Sequence, residues 1–160
     1  RPVKYAGIIT SVKKKYTKNN TKNGNISISK VIKVNLLGTF LMIKYASFIM
    51  DKGVIINMSS LDASNTYNVY SMDYAASKAG VENLTKSLAL RFPNNKIIAL
   101  APSWVDTDTV LQMDPNYLKE ELERTNQKEL LKKEDVADTI VDMLVNDKYV
   151  SGNIYGVNNE

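Results

Sequence analysis

The 160-residue chain contains neither cysteine nor histidine. The lack of cysteine excludes disulfides and thiol nucleophiles, and the lack of histidine excludes Ser-His-Asp triads. Most zinc sites also need one of these two residue types, so we expect no metal. Proton transfer near neutral pH must then use a carboxylate, or a lysine or tyrosine whose pKa is shifted.

Long apolar runs and targeting patterns are also missing. No uninterrupted apolar run approaches the ~18 residues of a membrane span, and no signal-peptide pattern opens the chain. We therefore expect no membrane partner and a cytoplasmic location. The apolar content of 44% and the charged content of 24% are ordinary for a globular protein. The length fits a single domain, residues 1–160.

The formal net charge of +4 comes largely from one segment, VKKKYTKNNTKNGN, at residues 12–25. We interpret this run as a solvated surface loop. A nucleic-acid patch is the alternative, but the run lacks regular spacing and a recognisable binding motif. We therefore predict no nucleic-acid partner.

Strands and helices are predicted to alternate along the chain. The predicted strands are VKYAGII (3–9), VIINMSS (54–60), KIIALAP (96–102) and YVSGNIYGV (149–157). The predicted helices are 26–50, with Ser27 or Ser29 as a cap, and 74–92, 116–126 and 133–146. Such alternation predicts a parallel α/β sheet with helices on both faces. Ligands of such sheets bind beyond the carboxyl ends of the strands.

Polar residues follow two of these strands. Ser59 and Ser60 come after the second strand, and residues 103–109 come after the third. Tyr74 and Lys78 begin the helix that joins the two strands. With nine tyrosines and 18 lysines in 160 residues, roughly one Tyr-x-x-x-Lys pair is expected by chance, so the position of this pair carries the argument. We expect all these side chains to meet at one edge of the sheet.

Four segments, VNLLGTF, VIINMSS, YAASKAG and APSWVDTDT, occur in an order and spacing that resemble the short-chain dehydrogenase/reductase family. The resemblance runs from Val3 to about Val157. It implies the C-terminal portion of a Rossmann-type doubly wound parallel sheet. It also implies an NAD or NADP cofactor and a carbonyl/alcohol substrate. A homo-oligomer, dimer or tetramer, built on the helices that carry Asn35 and Tyr74, is implied as well.

The resemblance also implies roles for individual residues. The catalytic residues it implies are Asn35, Ser60, Tyr74 and Lys78, with Ser59 as the runner-up for the serine. The cofactor-binding residues it implies are Ala6, Gly7, Tyr74, Lys78, Pro102, Val105 through its backbone and Thr107 through its hydroxyl. No residue is assigned to a metal.

Elementary chemistry fits these roles. Residues i and i+4 share a helix face, with Cβ atoms about 5–6 Å apart. We expect the Lys78 ammonium to lower the pKa of Tyr74 from its usual ~10. Ser60 can steady charge on a substrate oxygen, and Asn35 can hold a water that links Lys78 to solvent.

Structural interpretations of the same residues stay open. Tyr74 and Lys78 also fit an ordinary surface pair, and the two serines fit plain strand-end residues. Asn35 fits an incidental helix residue, and Thr107 fits a helix cap. Ala75, Ala76, Ala79 and Gly80 are interpreted as close-packing positions.

Four departures separate the chain from the family pattern. No G-x-x-x-G-x-G phosphate loop is present, KYAG stands where the family has NNAG, Ser103 replaces a glycine, and 14 residues separate Ser60 from Tyr74. We expect the N-terminal part of the domain to be lacking, the strand at 3–9 to have an exposed edge, and these 160 residues alone to bind dinucleotide poorly.

Two functions therefore compete. One is an oxidoreductase that transfers hydride between the nicotinamide cofactor and a substrate. The other is a non-catalytic structural or interaction protein of the same family. Residues 61–72 and 108–125 are expected to shape the substrate pocket, and the sequence does not identify the substrate.

Overall fold

The computed structural model describes residues 30–64 and 67–157. Several sequence predictions lie outside these residues. They are the strand at 3–9, the basic segment at 12–25, the capping serines Ser27 and Ser29, and the cofactor contacts Ala6 and Gly7.

Three parallel strands form the described sheet, in the order β1-β2-β3. They are β1 (Gly53–Met58), β2 (Asn95–Pro102) and β3 (Ile154–Val157). The register pairs Asn57 with Ala99 and Ala101 with Gly156. The central strand β2 is a nearly continuous apolar run because helices cover both of its faces.

The described helices agree with the four predicted ones and add short elements. A π-helical segment (Ile32–Leu37) leads into α1 (Gly38–Ile49), and a single 3₁₀ turn (Leu61–Ala63) follows β1. The remaining helices are α2 (Met72–Arg91), α3 (Asp108–Leu111), α4 (Pro115–Arg124) and α5 (Lys133–Val145). The π segment lies within the predicted helix 26–50, whose periodicity does not distinguish π from α geometry. The 3₁₀ turn and α3 are too short to show helical periodicity, although a helix capped by Thr107 is one of the alternatives that the sequence leaves open.

Each face of the sheet packs on a different helix, which confirms the predicted layering. Ile98 and Leu100 of β2 pack against Val136 and Met143 of α5 in the main apolar cluster. On the opposite face, Asn57 Nδ2 of β1 donates to Thr85 Oγ1 of α2 at 2.9 Å. That hydrogen bond satisfies a buried amide and fixes α2 along the strand.

Local signals set the ends and the packing of α2. Asn68 Oδ1 accepts hydrogen bonds from the backbone N–H groups of Tyr70 and Ser71 just before the helix. The helix ends at Arg91 because Pro93 disfavours helical geometry at the residue before it. A Cβ at Gly80 would lie 2.7 Å from Leu36 Cδ1, so Gly80 permits the close approach of the π segment.

Ile32–Ile49 forms one continuous helical stretch of 18 residues with a mean hydropathy of 1.3. By length and composition alone it could cross a membrane, although Lys33, Asn35 and Lys44 interrupt its apolar residues. Much of the surface of this helical stretch is exposed, but the stretch also packs on α2. Its residues Asn35 and Ile43 are buried. These contacts make the stretch a packed part of the α/β fold.

Candidate active site

A cavity of about 790 Å³ lies where β1 and β2 end and α2 begins. Seven of the site residues proposed from the sequence line it. These are Ser59, Ser60, Tyr74, Lys78, Pro102, Val105 and Thr107. The parallel topology brings them together, because the carboxyl ends of parallel strands share one edge of the sheet.

The structure separates the two candidate serines. Ser60 hydrogen-bonds through its side chain to Tyr74, and its Oγ accepts from the Asp62 N–H at 3.3 Å. Ser59 is buried, and its Oγ donates to Glu82 Oε1 of α2 at 2.8 Å. Ser60 is therefore the serine placed beside the tyrosine.

Lys78 is one helical turn from Tyr74, as the spacing predicts. Its Nζ donates to the Met58 carbonyl at the end of β1, at 2.6 Å, and lies 5.6 Å from the centroid of the Tyr74 ring. Burial lowers the pKa of Lys78 to about 8, because the charged form loses hydration. These contacts are those of a buried pair, not of an ordinary surface pair.

The expected lowering of the Tyr74 pKa is wrong for this structure. Burial raises that pKa above 10, the hydrogen bond from Ser60 opposes the rise, and the nearby Asp62 carboxylate adds to it. The Tyr74–Lys78 spacing shows a nearby ammonium, but the cost of burying a phenolate depends on packing that the spacing does not show. Tyr74 is thus a protonated phenol near neutral pH.

Asn35 lies in the π-helical segment and is buried, but it is not among the cavity-lining residues. Its Nδ2 donates to Ser77 Oγ at 3.0 Å, and Ser77 Oγ donates to the Tyr74 carbonyl at 2.7 Å. Asn35 Oδ1 is buried without a hydrogen-bond partner among the described residues. Its observed contact is with the helix that carries Tyr74, and its one unsatisfied oxygen is an acceptor suited to a water.

The strand-end loop at 103–107 crosses the cavity after β2. The Ser103 N–H donates to the Val157 carbonyl at 3.0 Å, and Ser103 Oγ is buried without a partner among the described residues. Thr107 is the N-cap residue of α3, but its side chain makes no capping hydrogen bond. The hydroxyl of Thr107 is therefore not used as the cap that its sequence allows.

A partly buried ion-pair network, which the sequence did not predict, joins α4 to Asp62, a residue that lines the cavity. Arg124 Nη2 of α4 contacts Asp62 Oδ1 at 2.8 Å and Glu121 Oε2 at 2.7 Å. Asn68 Nδ2 also donates to Glu121 Oε2, at 3.1 Å. The ionic hydrogen bonds hold the pKa of Arg124 above its usual value, although burial alone opposes this. Only the i,i+3 spacing of Glu121 and Arg124 was visible in the sequence.

The described residues fit the nicotinamide end of a dinucleotide. One cavity, large enough for a ring and a small substrate, is lined by Lys78, Val105 and Thr107. The amine of Lys78 is buried, and the hydroxyl of Thr107 makes no helix-capping hydrogen bond. Residues that could hold the pyrophosphate are not among those described here, and the chain lacks the G-x-x-x-G-x-G pattern for it.

A parallel sheet, helices on both faces and a polar cavity at the strand ends define a Rossmann-like α/β protein. The family profile described as enoyl-(acyl carrier protein) reductase matches residues 3–159. The chain belongs to the short-chain dehydrogenase/reductase family, a family of oxidoreductases.

Individual relatives agree with this family. The 3-oxoacyl-(acyl-carrier-protein) reductase of Aquifex aeolicus is 32% identical over 136 residues, which cover 81% of this chain and 54% of that protein. Human (3R)-3-hydroxyacyl-CoA dehydrogenase is 33% identical over 130 residues, covering 77% of this chain and 49% of that protein. The chain thus spans about half the length of the curated relatives it matches.

A solved structure shows the same fold. It is that of a putative 2-deoxy-d-gluconate 3-dehydrogenase from Agrobacterium tumefaciens with bound NADP. It superposes with a TM-score of 0.73 at 27% identity, covering 81% of this chain and 56% of that one.

Proposed function

We propose that the protein is an NAD(P)-dependent oxidoreductase acting on a carbonyl/alcohol pair. One observation carries the proposal: the phenol of Tyr74 is hydrogen-bonded to Ser60 at a cavity whose wall includes the buried amine of Lys78. A chain without histidine has few other groups that can exchange a proton with a substrate oxygen.

Tyr74 is the proposed proton carrier, and Ser60 orients the substrate oxygen. The nicotinamide cofactor, NAD or NADP, supplies or accepts the hydride when bound. Because burial keeps the Tyr74 phenol protonated, it is ready to donate a proton to a carbonyl oxygen that becomes an alcohol. With substrate bound, the Ser60 hydroxyl turns its one proton from Tyr74 to that oxygen and stabilises charge developing on it.

Lys78 and Asn35 support the phenol from the helix side. With its pKa lowered to about 8, Lys78 carries most of its charge at pH 7, and a cation near the ring favours phenolate once the proton is transferred. Asn35 would hold a water on the path that reprotonates the pair, through its unsatisfied Oδ1.

Replacement of Tyr74 by Phe tests the proposal. In the full-length protein, Tyr74→Phe should lower kcat by two or more orders of magnitude while NAD(P)H affinity changes little, because one hydroxyl is lost (general acid catalysis contributes ~10²–10⁴). Tyr70→Phe is the matched control, since Tyr70 is exposed two residues before α2. Undiminished kcat in Tyr74→Phe would refute the assignment.

A non-catalytic structural or interaction role is the second candidate, favoured by KYAG and Ser103, which stand where the family pattern has NNAG and a glycine. The two functions differ in nucleotide binding. Calorimetric titration of the full-length protein with NADH and NADPH should give binding for an oxidoreductase, and none for a structural relative.

We also propose that the protein is a homo-oligomer. The stretch from the π segment through α1 exposes a row of large apolar side chains, which a second copy would cover. These are Val34, Leu37, Phe40, Leu41, Met42, Tyr45, Phe48 and Ile49. Sedimentation should show a dimer or tetramer, and Phe48→Glu should shift it toward monomer. A monomeric parent protein, or one that sediments only with lipid vesicles, would contradict this.

A further inference from the structure

The loop after β2 is held by a buried side-chain amide that takes no part in the proposed chemistry. Gln127 is only 5% exposed. Its Oε1 accepts from the Trp104 N–H at 2.9 Å, and its Nε2 donates to the Trp104 carbonyl at 2.8 Å. One side chain therefore satisfies both backbone groups of Trp104, as a neighbouring strand would.

The end of α4 aims Gln127 at this loop. Asn126 follows the helix in the left-handed region, with φ of 52°, a conformation that asparagine tolerates better than most residues. The Gln127 N–H donates to the Leu122 carbonyl and the Asn126 N–H to the Glu123 carbonyl. This Schellman arrangement satisfies the last carbonyls of α4 and turns the chain toward Trp104.

A short parallel bridge continues the contact. The Leu131 N–H donates to the Trp104 carbonyl, and the Asp106 N–H donates to the Leu131 carbonyl, both at 2.9 Å. These bonds use the backbone groups on either side of Val105, so those of Val105 itself point to the opposite side. Asp106 Oδ1 in turn accepts from the Lys133 N–H at the start of α5, at 2.7 Å.

We propose that Gln127 is a positioning residue for the loop at 103–107. By fixing the backbone of Trp104, its amide sets where Val105 and Thr107 stand at the cavity. The expected effect of Gln127 on nicotinamide binding rests on the proposed function. Its expected effect on the order of the loop at 103–107 does not.

Two substitutions at Gln127 distinguish the effect of its amide hydrogen bonds from the effect of its side-chain size. Gln127→Met keeps an unbranched chain of similar length, but it removes the Oε1 acceptor of the Trp104 N–H and the Nε2 donor to the Trp104 carbonyl. Gln127→Glu keeps the acceptor, but its second carboxylate oxygen faces the Trp104 carbonyl, and the two repel. Lys128→Met is the control, because Lys128 is adjacent and exposed.

Trp104 is the sole tryptophan of the 160 residues and is 7% exposed, so its fluorescence reports on the loop directly. Gln127→Met and Gln127→Glu should shift the emission to longer wavelength and raise the acrylamide quenching constant severalfold. Lys128→Met should match the parent chain. Amide hydrogen exchange should accelerate in residues 103–107. Unchanged exchange at Ile97 and Ile98 of β2 would show that the variants remain folded.

Protonation of the carboxylate in Gln127→Glu should restore the two hydrogen bonds to the Trp104 backbone. A protonated carboxyl has one donor and one acceptor, as the amide does, and burial raises the pKa of a glutamate above its usual ~4.3. The emission and quenching of Gln127→Glu should therefore return toward parent values between about pH 8 and pH 5. Gln127→Met should show no such recovery. Lys128→Met should match the parent protein throughout this pH range.

The effect of Gln127 on cofactor binding is measured by the kinetics of the full-length protein. Gln127→Met should raise the KM for NAD(P)H severalfold, with a smaller effect on the KM of the carbonyl substrate. Parent-like quenching and exchange in Gln127→Met would overturn the positioning role. A loosened loop in a protein whose parent form binds no nucleotide would instead support that role and refute the proposed function.

Discussion

Two loops leave the sheet at the candidate site, and they are held by different forces. The described part of the loop after β1, residues 59–64 and 67–71, is held by charge, through the ion pairs of Arg124 with Asp62 and Glu121. The backbone of the loop after β2, residues 103–107, is held by neutral hydrogen bonds to Gln127 and Leu131. The C-terminal end of α4 supplies both Arg124 and Gln127, three residues apart, so one short helix braces both walls of the cavity.

The difference matters because buried charges and neutral amides respond differently to loss of a partner. An unpaired buried carboxylate is far costlier than an unpaired amide. The loop beside Ser60 is therefore expected to be the more sensitive of the two to mutation.

The largest effect is expected for Arg124→Met. The substitution leaves the buried carboxylates of Asp62 and Glu121 without their cation, which should cost about 3 kcal/mol of the free energy of unfolding. Urea denaturation measures this loss. Lys119→Met is the control, since the Lys119–Glu123 pair is highly exposed and contributes little. A loss for Arg124→Met no greater than for Lys119→Met would show that charge does not hold this loop.

The second effect concerns pH. The folded pKa of Lys78, about 8, is below its unfolded value near 10.4, so the unfolded state binds more protons between these two values. Stability should therefore rise from about pH 8 toward pH 10, by about 2 kcal/mol. Above about pH 10 the raised pKa of Tyr74 acts in the opposite direction, because only the unfolded phenol then ionises.

Thermal or urea unfolding across this pH range tests the second prediction. The rise should be absent in Lys78→Met, which carries no titrating group there. It should persist in Gln127→Met, because that variant keeps the buried amine of Lys78. A flat profile in the parent protein would contradict a buried Lys78.

The smallest effect on stability is expected for Thr107→Val. Since the Thr107 side chain makes no capping hydrogen bond, the change should alter the free energy of unfolding by less than about 0.5 kcal/mol. Nicotinamide affinity of the full-length protein should nevertheless fall. A loss of about 1 kcal/mol or more in stability would instead identify Thr107 as a helix cap.

Much of this molecule follows from local sequence pattern. The apolar runs at β1 and β2 and the helical periodicity of α2 and α5 predict the layers, because burial selects side chains at fixed periods. The Tyr74–Lys78 spacing predicts a shared helix face for the same reason. The π segment at Asn35 has no such signal, since its geometry depends on the close approach of Leu36 to Gly80.

The sequence by itself determined the family, the layered α/β architecture and the turn of helix that joins Tyr74 to Lys78. Only the tertiary structure decided that Ser60 faces the tyrosine while Ser59 contacts Glu82, and that burial raises the Tyr74 pKa. It alone brought Arg124 to Asp62 and Gln127 to Trp104, across 62 and 23 residues. Periodicity is a property of neighbouring residues, whereas desolvation and long-range pairing exist only once the chain has packed.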